Sequence, residues 1–241
     1  MYLTVTLLRQ GALVQKTQPP GPDILVALER RRIWIEAVCA TGGDADQPDS
    51  IAEPVIPQSG TVIAASGYEQ WDKIALRIRN SMEKKREAFD RYLKLGIVTT
   101  DDLLVIAINI EKIPGATLDT QKYILRALFG VGDLQVVINR ESREIVDSHN
   151  QELISITKAK GAKVGTQPFV DGSMPTISAV LVSEFNAMSA AEKDFVDLTI
   201  FPNLTATAPF PQHALPLDEW VFQNNGPGGW AGELSKVGPK V

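Results

Sequence analysis

Apolar residues recur along this chain with two different periods, and each change of period marks a new element. Residues 24–28 and 33–38 are apolar, β-branched runs, and the polar residues 29–32 between them are the right length for a hairpin loop. Side chains alternate along the second run, so Trp34, Glu36 and Val38 share one face while Ile33, Ile35 and Ala37 share the other. Over residues 68–95 the period lengthens to that of a helix. Trp71, Ile74, Ala75, Ile78, Met82, Phe89 and Tyr92 form one stripe there, and Gly96 stands as the stop. Residues 2–10 have a helix-compatible composition that ends at Gly11, and residues 12–16 then read as a strand. Residues 103–110 are a continuous apolar run, the pattern of a buried central strand, and residues 120–129 predict a helix closed by Gly130. Residues 134–139 read as a strand turning through 139–143 onto a partner at 144–147, with further strands at 177–185 and 195–200. Helix, β-hairpin, long helix, strand, helix and strands make an α/β plan, a mixed central β-sheet flanked by helices.

Two stretches lack sustained periodicity. Residues 41–67, rich in Gly, Pro, Asp and Ser, predict a long loop, and the acids Asp44, Asp46, Asp49 and Glu53 within it lack the glycine turn and terminal glutamate of a calcium loop. After Phe201 the chain fills with Pro, Asn and Gly around Trp220 and Trp230, which predicts one domain over residues 1–201 and an irregular tail over 202–241.

Composition narrows the function classes. With 241 residues, 44% of them apolar, the chain can bury a full core. The net charge of −5 argues against non-specific binding of nucleic acid by the whole surface, leaving only a local basic groove. The single Cys39 excludes an internal disulfide and a multi-cysteine metal site, and the apolar run 3–8 is too short for a membrane span. Cytoplasm is the default location, with no membrane partner. His149 and His213 lie far apart in loop-like contexts, so a histidine-based triad has little support, and Gly226-Pro-Gly-Gly precedes no helix that could cradle phosphate.

Against this background two charged residues break the apolar pattern. Glu36 sits in mid-strand among apolar neighbours, where a carboxylate costs several kcal/mol unless a cation meets it. Lys85 falls in the middle of the long helix's stripe. At about 100° per residue it points between Ile78 and Phe89, whereas Lys84 and Arg86 diverge to either side. Its ammonium has two options, to snorkel out along its stem or to meet an anion at the sheet.

The pair Pro22-Asp23, opening the first hairpin strand, and Glu36, 13 positions later, resemble the PD-(D/E)xK restriction-endonuclease-like superfamily. The motif lysine, expected two residues after the acid, is replaced by Val38. Further similarity to a bacterial group of this type lies in Trp34-Ile-Glu-Ala-Val, Arg77-Ile-Arg-Asn-Ser-Met-Glu-Lys-Lys, Phe89-Asp-Arg-Tyr-Leu, Gly96-Ile-Val and Ala127-Leu-Phe, spanning about residues 2–147. The resemblance implies a restriction-endonuclease-like core in which Asp23 and Glu36 hold Mg²⁺ or Mn²⁺, with the Ala37 carbonyl as third ligand. It also implies that the lysine can move to the following helix, here Lys85. A further acid, often brought by the helix before the hairpin, would lie upstream of Met1, so the first helix is expected to be shorter than in the family.

Between Lys73 and Lys94 the long helix carries eight basic residues against three acids. That face suits a phosphate backbone, with Arg77 and Lys84 as the contacts, and suits equally a solvated face of i,i+4 ion pairs. Two functions therefore stand side by side. One is a metal-dependent nuclease acting on nucleic acid, DNA ahead of RNA, through Asp23, Glu36 and Lys85, with homo-oligomerisation left open. The other is an inactive nuclease-like fold that binds or scaffolds, with Glu36 and Lys85 as a buried ion pair.

Overall fold

The hairpin and the long helix meet on a sheet that is larger than the apolar pattern predicts. The structure, a computed structural model, describes residues 2–28, 31–52, 68–185, 198–224 and 230–236. Among these, α1 (Tyr2–Arg9) leads into β1 (Leu13–Gln15), β2 (Ile24–Ala27) and β3 (Arg32–Cys39). Then come α2 (Tyr68–Lys94), β4 (Leu103–Asn109) and α3 (Thr120–Phe129). The later strands are β5 (Val131–Ile138), β6 (Ile145–Glu152), β7 (Ser155–Thr157), β8 (Lys163–Gly165), β9 (Ala179–Ser183), β10 (Leu198–Pro202), β11 (Asp218–Asn224) and β12 (Trp230–Ser235). Eight strands form one mixed sheet in the order β1-β2-β3-β4-β9-β10-β11-β12, with β3, β4 and β9 parallel to one another. The molecule is α/β, a large mixed sheet flanked by few helices.

Both faces of the central strands are covered, which is why β4 reads as an unbroken apolar run. On one face Trp34, Leu104, Ile106, Ile108 and Val180 pack against Ile74, Ile78, Met82 and Phe89 of α2 and Ile124 and Leu128 of α3. On the other, Ile33, Ile35, Leu103, Val105 and Leu181 pack against Leu7 of α1 and the segment carrying Phe210, Leu215 and Leu217. The alternation read from residues 33–38 is thus the division between the two cores.

Helix ends follow their glycines. Gly96 adopts φ +68°, and the bonds from Gly96 N to Leu93 O (3.1 Å) and Ile97 N to Tyr92 O (3.0 Å) close α2 in a Schellman motif. At the end of α3, Gly130 adopts φ +66°, and an added Cβ would collide with the Gln167 side chain and the Leu153 carbonyl. Gly130→Ala is therefore expected to destabilise the fold by about 2–3 kcal/mol, from left-handed strain plus overpacking. Urea unfolding measures this, and an unchanged midpoint would mean that Leu153 and Gln167 do not approach the turn so closely.

Two expectations are revised. Strands at 134–139 and 144–147 do pair, but as the longer hairpin β5–β6, which forms a two-stranded sheet of its own rather than joining the mixed one. All of β6 is exposed, and from Asp147 to Glu152 both of its faces are polar, so this part of the strand offers the main sheet no apolar surface to bury. The stretch from residue 202 read as an irregular tail contains β11 and β12, which extend the sheet, with Trp220 stacking edge-on against Phe201 at 6.1 Å. Of the expected long loop, residues 41–52 form turns, and 53–67 lie outside the described residues, as does the first part of the strand expected at 195–200. No helix among the described residues is long and apolar enough to cross a membrane.

Candidate functional site

Asp23 stands one residue before β2, and the register Ile24↔Ile35 brings it alongside the middle of β3. Continuing that register sets Pro22 opposite Ala37. A proline has no N–H, so it cannot donate to the Ala37 carbonyl as a ladder partner would. The Ala37 N–H is instead taken by Asp23 Oδ2 at 2.8 Å. In an extended strand a residue's N–H and C=O point to the same edge, so the Ala37 carbonyl is directed toward the side on which Asp23 stands. The Pro-Asp pair thus ends strand pairing here and substitutes a carboxylate for the ladder.

Glu36 projects from the face of β3 that receives α2 and is only 3% exposed. Its Oε2 accepts from Lys85 Nζ at 2.6 Å, and its Oε1 accepts from the Tyr92 hydroxyl at 3.1 Å. The same ammonium lies 3.7 Å from Asp23 Oδ2. Lys85 and Tyr92 are seven residues apart, two helical turns, so one stripe of α2 supplies both donors. Burial first, then the neighbouring Glu36 charge, pushes the Tyr92 phenol above its ordinary value, so it stays protonated and keeps donating. Asp23 remains half exposed, and the group opens to solvent on its side.

Asp23, Glu36, Lys85 and the Ala37 backbone are therefore brought together. Arg77 and Lys84 are not. Arg77 Nε donates to the Thr41 carbonyl at 2.9 Å, and its guanidinium lies against Gly43, where a Cβ would meet it at 2.8 Å. That bond ties α2 to the loop after β3, and among the described residues Arg77 forms no ion pair and does not reach Asp23 or Glu36. Lys84 is exposed on the outer side of α2. Much of the helix's positive charge is engaged within the chain: Arg86 bridges Glu83 (2.8 Å) and Asp90 (2.6 Å), and the buried Arg79 reaches Glu83 at 3.2 Å. Burial lowers the Arg79 pKa from its ordinary value, partly countered by Glu83.

By its spacing Tyr92 belongs to the apolar stripe, and only its hydroxyl, on the same line of the helix as Lys85, marks it in the sequence for a second role. No group of three or more His, Cys, Asp or Glu side chains that could hold a metal occurs among the described residues. The oxygens that could serve a hard cation are the two carboxylates and the Ala37 carbonyl, few enough to suit only an ion that keeps several waters, and both Glu36 oxygens and Asp23 Oδ2 already accept hydrogen bonds within the chain. A mostly apolar cavity of about 350 Å³ opens at the C-terminal ends of β3, β4 and β9, lined by Ala37, Val38, Cys39, Asn109 and Ser183 among others; it meets the site at Ala37 and does not include Asp23, Glu36 or Lys85. Comparisons with protein-family models, curated proteins and solved structures each find no match for the chain.

Proposed function

We propose that the chain is a metal-dependent phosphodiesterase of the PD-(D/E)xK nuclease-like type, acting on nucleic acid, with Asp23, Glu36 and Lys85 as its catalytic residues. The observation that carries the reading is the Lys85 ammonium, 2.6 Å from Glu36 and 3.7 Å from Asp23, a lysine delivered to both acids in a chain whose motif position holds Val38. The order of helix, hairpin, long helix and parallel strand supports the same family.

Mg²⁺ or Mn²⁺, when bound by Asp23, Glu36 and the Ala37 carbonyl, would neutralise charge on the scissile phosphate and make a coordinated water more acidic. The chain's own residues have separate tasks. Asp23, held by the Ala37 N–H, keeps one carboxylate oxygen at the strand edge. Tyr92 fixes the rotamer of Glu36 from the helix side. Lys85 offers three donors from a flexible stem, enough to orient an attacking water or to meet negative charge developing on the phosphate.

A second reading is a binding or scaffold module that retains the fold without the chemistry. It is favoured by the two donors that already satisfy Glu36 without any metal. Titrating the purified chain with Mg²⁺ or Mn²⁺ in the presence of single- and double-stranded DNA and RNA separates the two. Cleavage that requires the ion and stops with chelator is expected, on DNA before RNA. No cleavage of any of the four substrates, together with no calorimetric uptake of either ion, would put the binding module first.

A further inference from the structure

Glu36 Oε2 and Asp23 Oδ2 share one cation of the chain's own, the Lys85 ammonium, at 2.6 Å and 3.7 Å. These two carboxylates are also the side chains that the metal-dependent reading gives to the ion. Two cations therefore converge on the same pair of acids. The other groups that hold those acids are stiffer. The Ala37 N–H that meets Asp23 Oδ2 at 2.8 Å belongs to the backbone of β3, and the Tyr92 hydroxyl that meets Glu36 Oε1 at 3.1 Å sits on a rigid ring. Lys85 instead reaches Oε2 along a flexible four-carbon stem, and its side chain is 23% exposed against 4% for that of Glu36. Lys85 can withdraw toward water while Tyr92 and the Ala37 N–H keep both carboxylates in place.

The charge balance points the same way. Two carboxylates carry two negative charges, of which Lys85 matches one and a divalent ion matches both. The two cations together exceed them. Beside a carboxylate that is only 3% exposed there is little water to screen the excess, so holding both cations at once is disfavoured. We propose that Lys85 is a resident counter-ion that competes with the divalent ion: its ammonium holds Glu36 and Asp23 until the ion binds, and ion uptake requires it to release Glu36 and turn to the open side at Asp23. The inference rests on the metal-dependent reading and adds its regulation. The exchange keeps the site neutralised from within at low ion concentration and frees Lys85 to face the phosphate once the ion is held.

Calorimetric titration of the full chain with Mg²⁺ or Mn²⁺ alone is the test. Lys85→Met is expected to bind either ion about tenfold or more tightly than wild type, and its urea midpoint should rise with the ion by more than that of wild type. Lys84→Met removes the same charge from the exposed outer side of α2 and should change ion affinity by less than about twofold. Side-chain NMR of the wild-type lysines needs no substitution and so does not depend on how a variant folds: the ammonium signal held by Glu36 should shift as either ion is added. A Lys85→Met chain that takes up the ion no more tightly than wild type overturns the proposal. So does an equal gain in Lys84→Met, or a Lys85 signal that stays unmoved while wild type takes up the ion. Each of these results leaves the metal-dependent reading standing, because wild type still binds the ion. Uptake by neither wild type nor Lys85→Met would overturn that reading and this inference with it.

Discussion

Replacing Lys85 with methionine is expected to destabilise the fold by about 3 kcal/mol and to remove any divalent-dependent cleavage. The stability effect follows from where the charge is left. Glu36 is 3% exposed and anchored in mid-strand, so it cannot swing to water when its cation goes. Methionine preserves the length and apolar stem that pack between Met82 and Phe89, so lost packing contributes little. Breaking a buried pair from one side typically costs about 3–5 kcal/mol, and the lower end applies because Tyr92 still donates to Oε1 and Lys85 itself reaches solvent. Urea unfolding measures the loss. A change below about 1 kcal/mol, the range of exposed pairs, would show that Glu36 is hydrated in solution. Combining Lys85→Met with Glu36→Gln should recover part of the stability, since the charge left stranded by the first change is removed by the second.

The parts of this arrangement that could be read from the sequence are those set by local periodicity. The alternation Ile33, Trp34, Ile35, Glu36 fixes which face of β3 carries the acid, whatever packs on it. Likewise the direction of Lys85 follows from its angle to Ile78 and Phe89, because a 27-residue helix has a well-defined stripe. The ends of α2 and α3 were legible for a similar reason, since Gly96 and Gly130 occupy left-handed positions that most residues resist. Non-local choices were not legible. β11 pairs in parallel with β10 across an intervening segment rich in proline, and nothing within Asp218–Asn224 announces which strand it will join. The β5–β6 pairing was visible in its turn, where Asn139 Oδ1 accepts from the Glu141 and Ser142 amides, yet the turn says nothing about whether the ribbon docks. Arg77 shows the limit for side chains: its angle on the helix put it near the stripe's edge, but its partner is a backbone carbonyl of a loop without periodicity.

Glu36→Gln separates chemistry from structure at the same position. Cleavage is expected to fall by about two to three orders of magnitude, the loss typical when one electrostatic group is removed from a catalytic centre. The fold should survive, because the amide can satisfy both neighbours. Its oxygen accepts from Lys85, and its NH₂ donates to Tyr92, whose hydroxyl can rotate to become the acceptor. Lys85 keeps an anionic neighbour in Asp23 at 3.7 Å, and a buried negative charge has gone, so stability should change by no more than about 1 kcal/mol in either direction. Nuclease rate and urea midpoint, measured on one preparation, read the two effects independently. Full cleavage by a homogeneous Glu36→Gln sample would remove Glu36 from the catalytic set. A stability loss as large as that of Lys85→Met would show that the carboxylate's charge holds α2 against the sheet, which is the role the scaffold reading gives it.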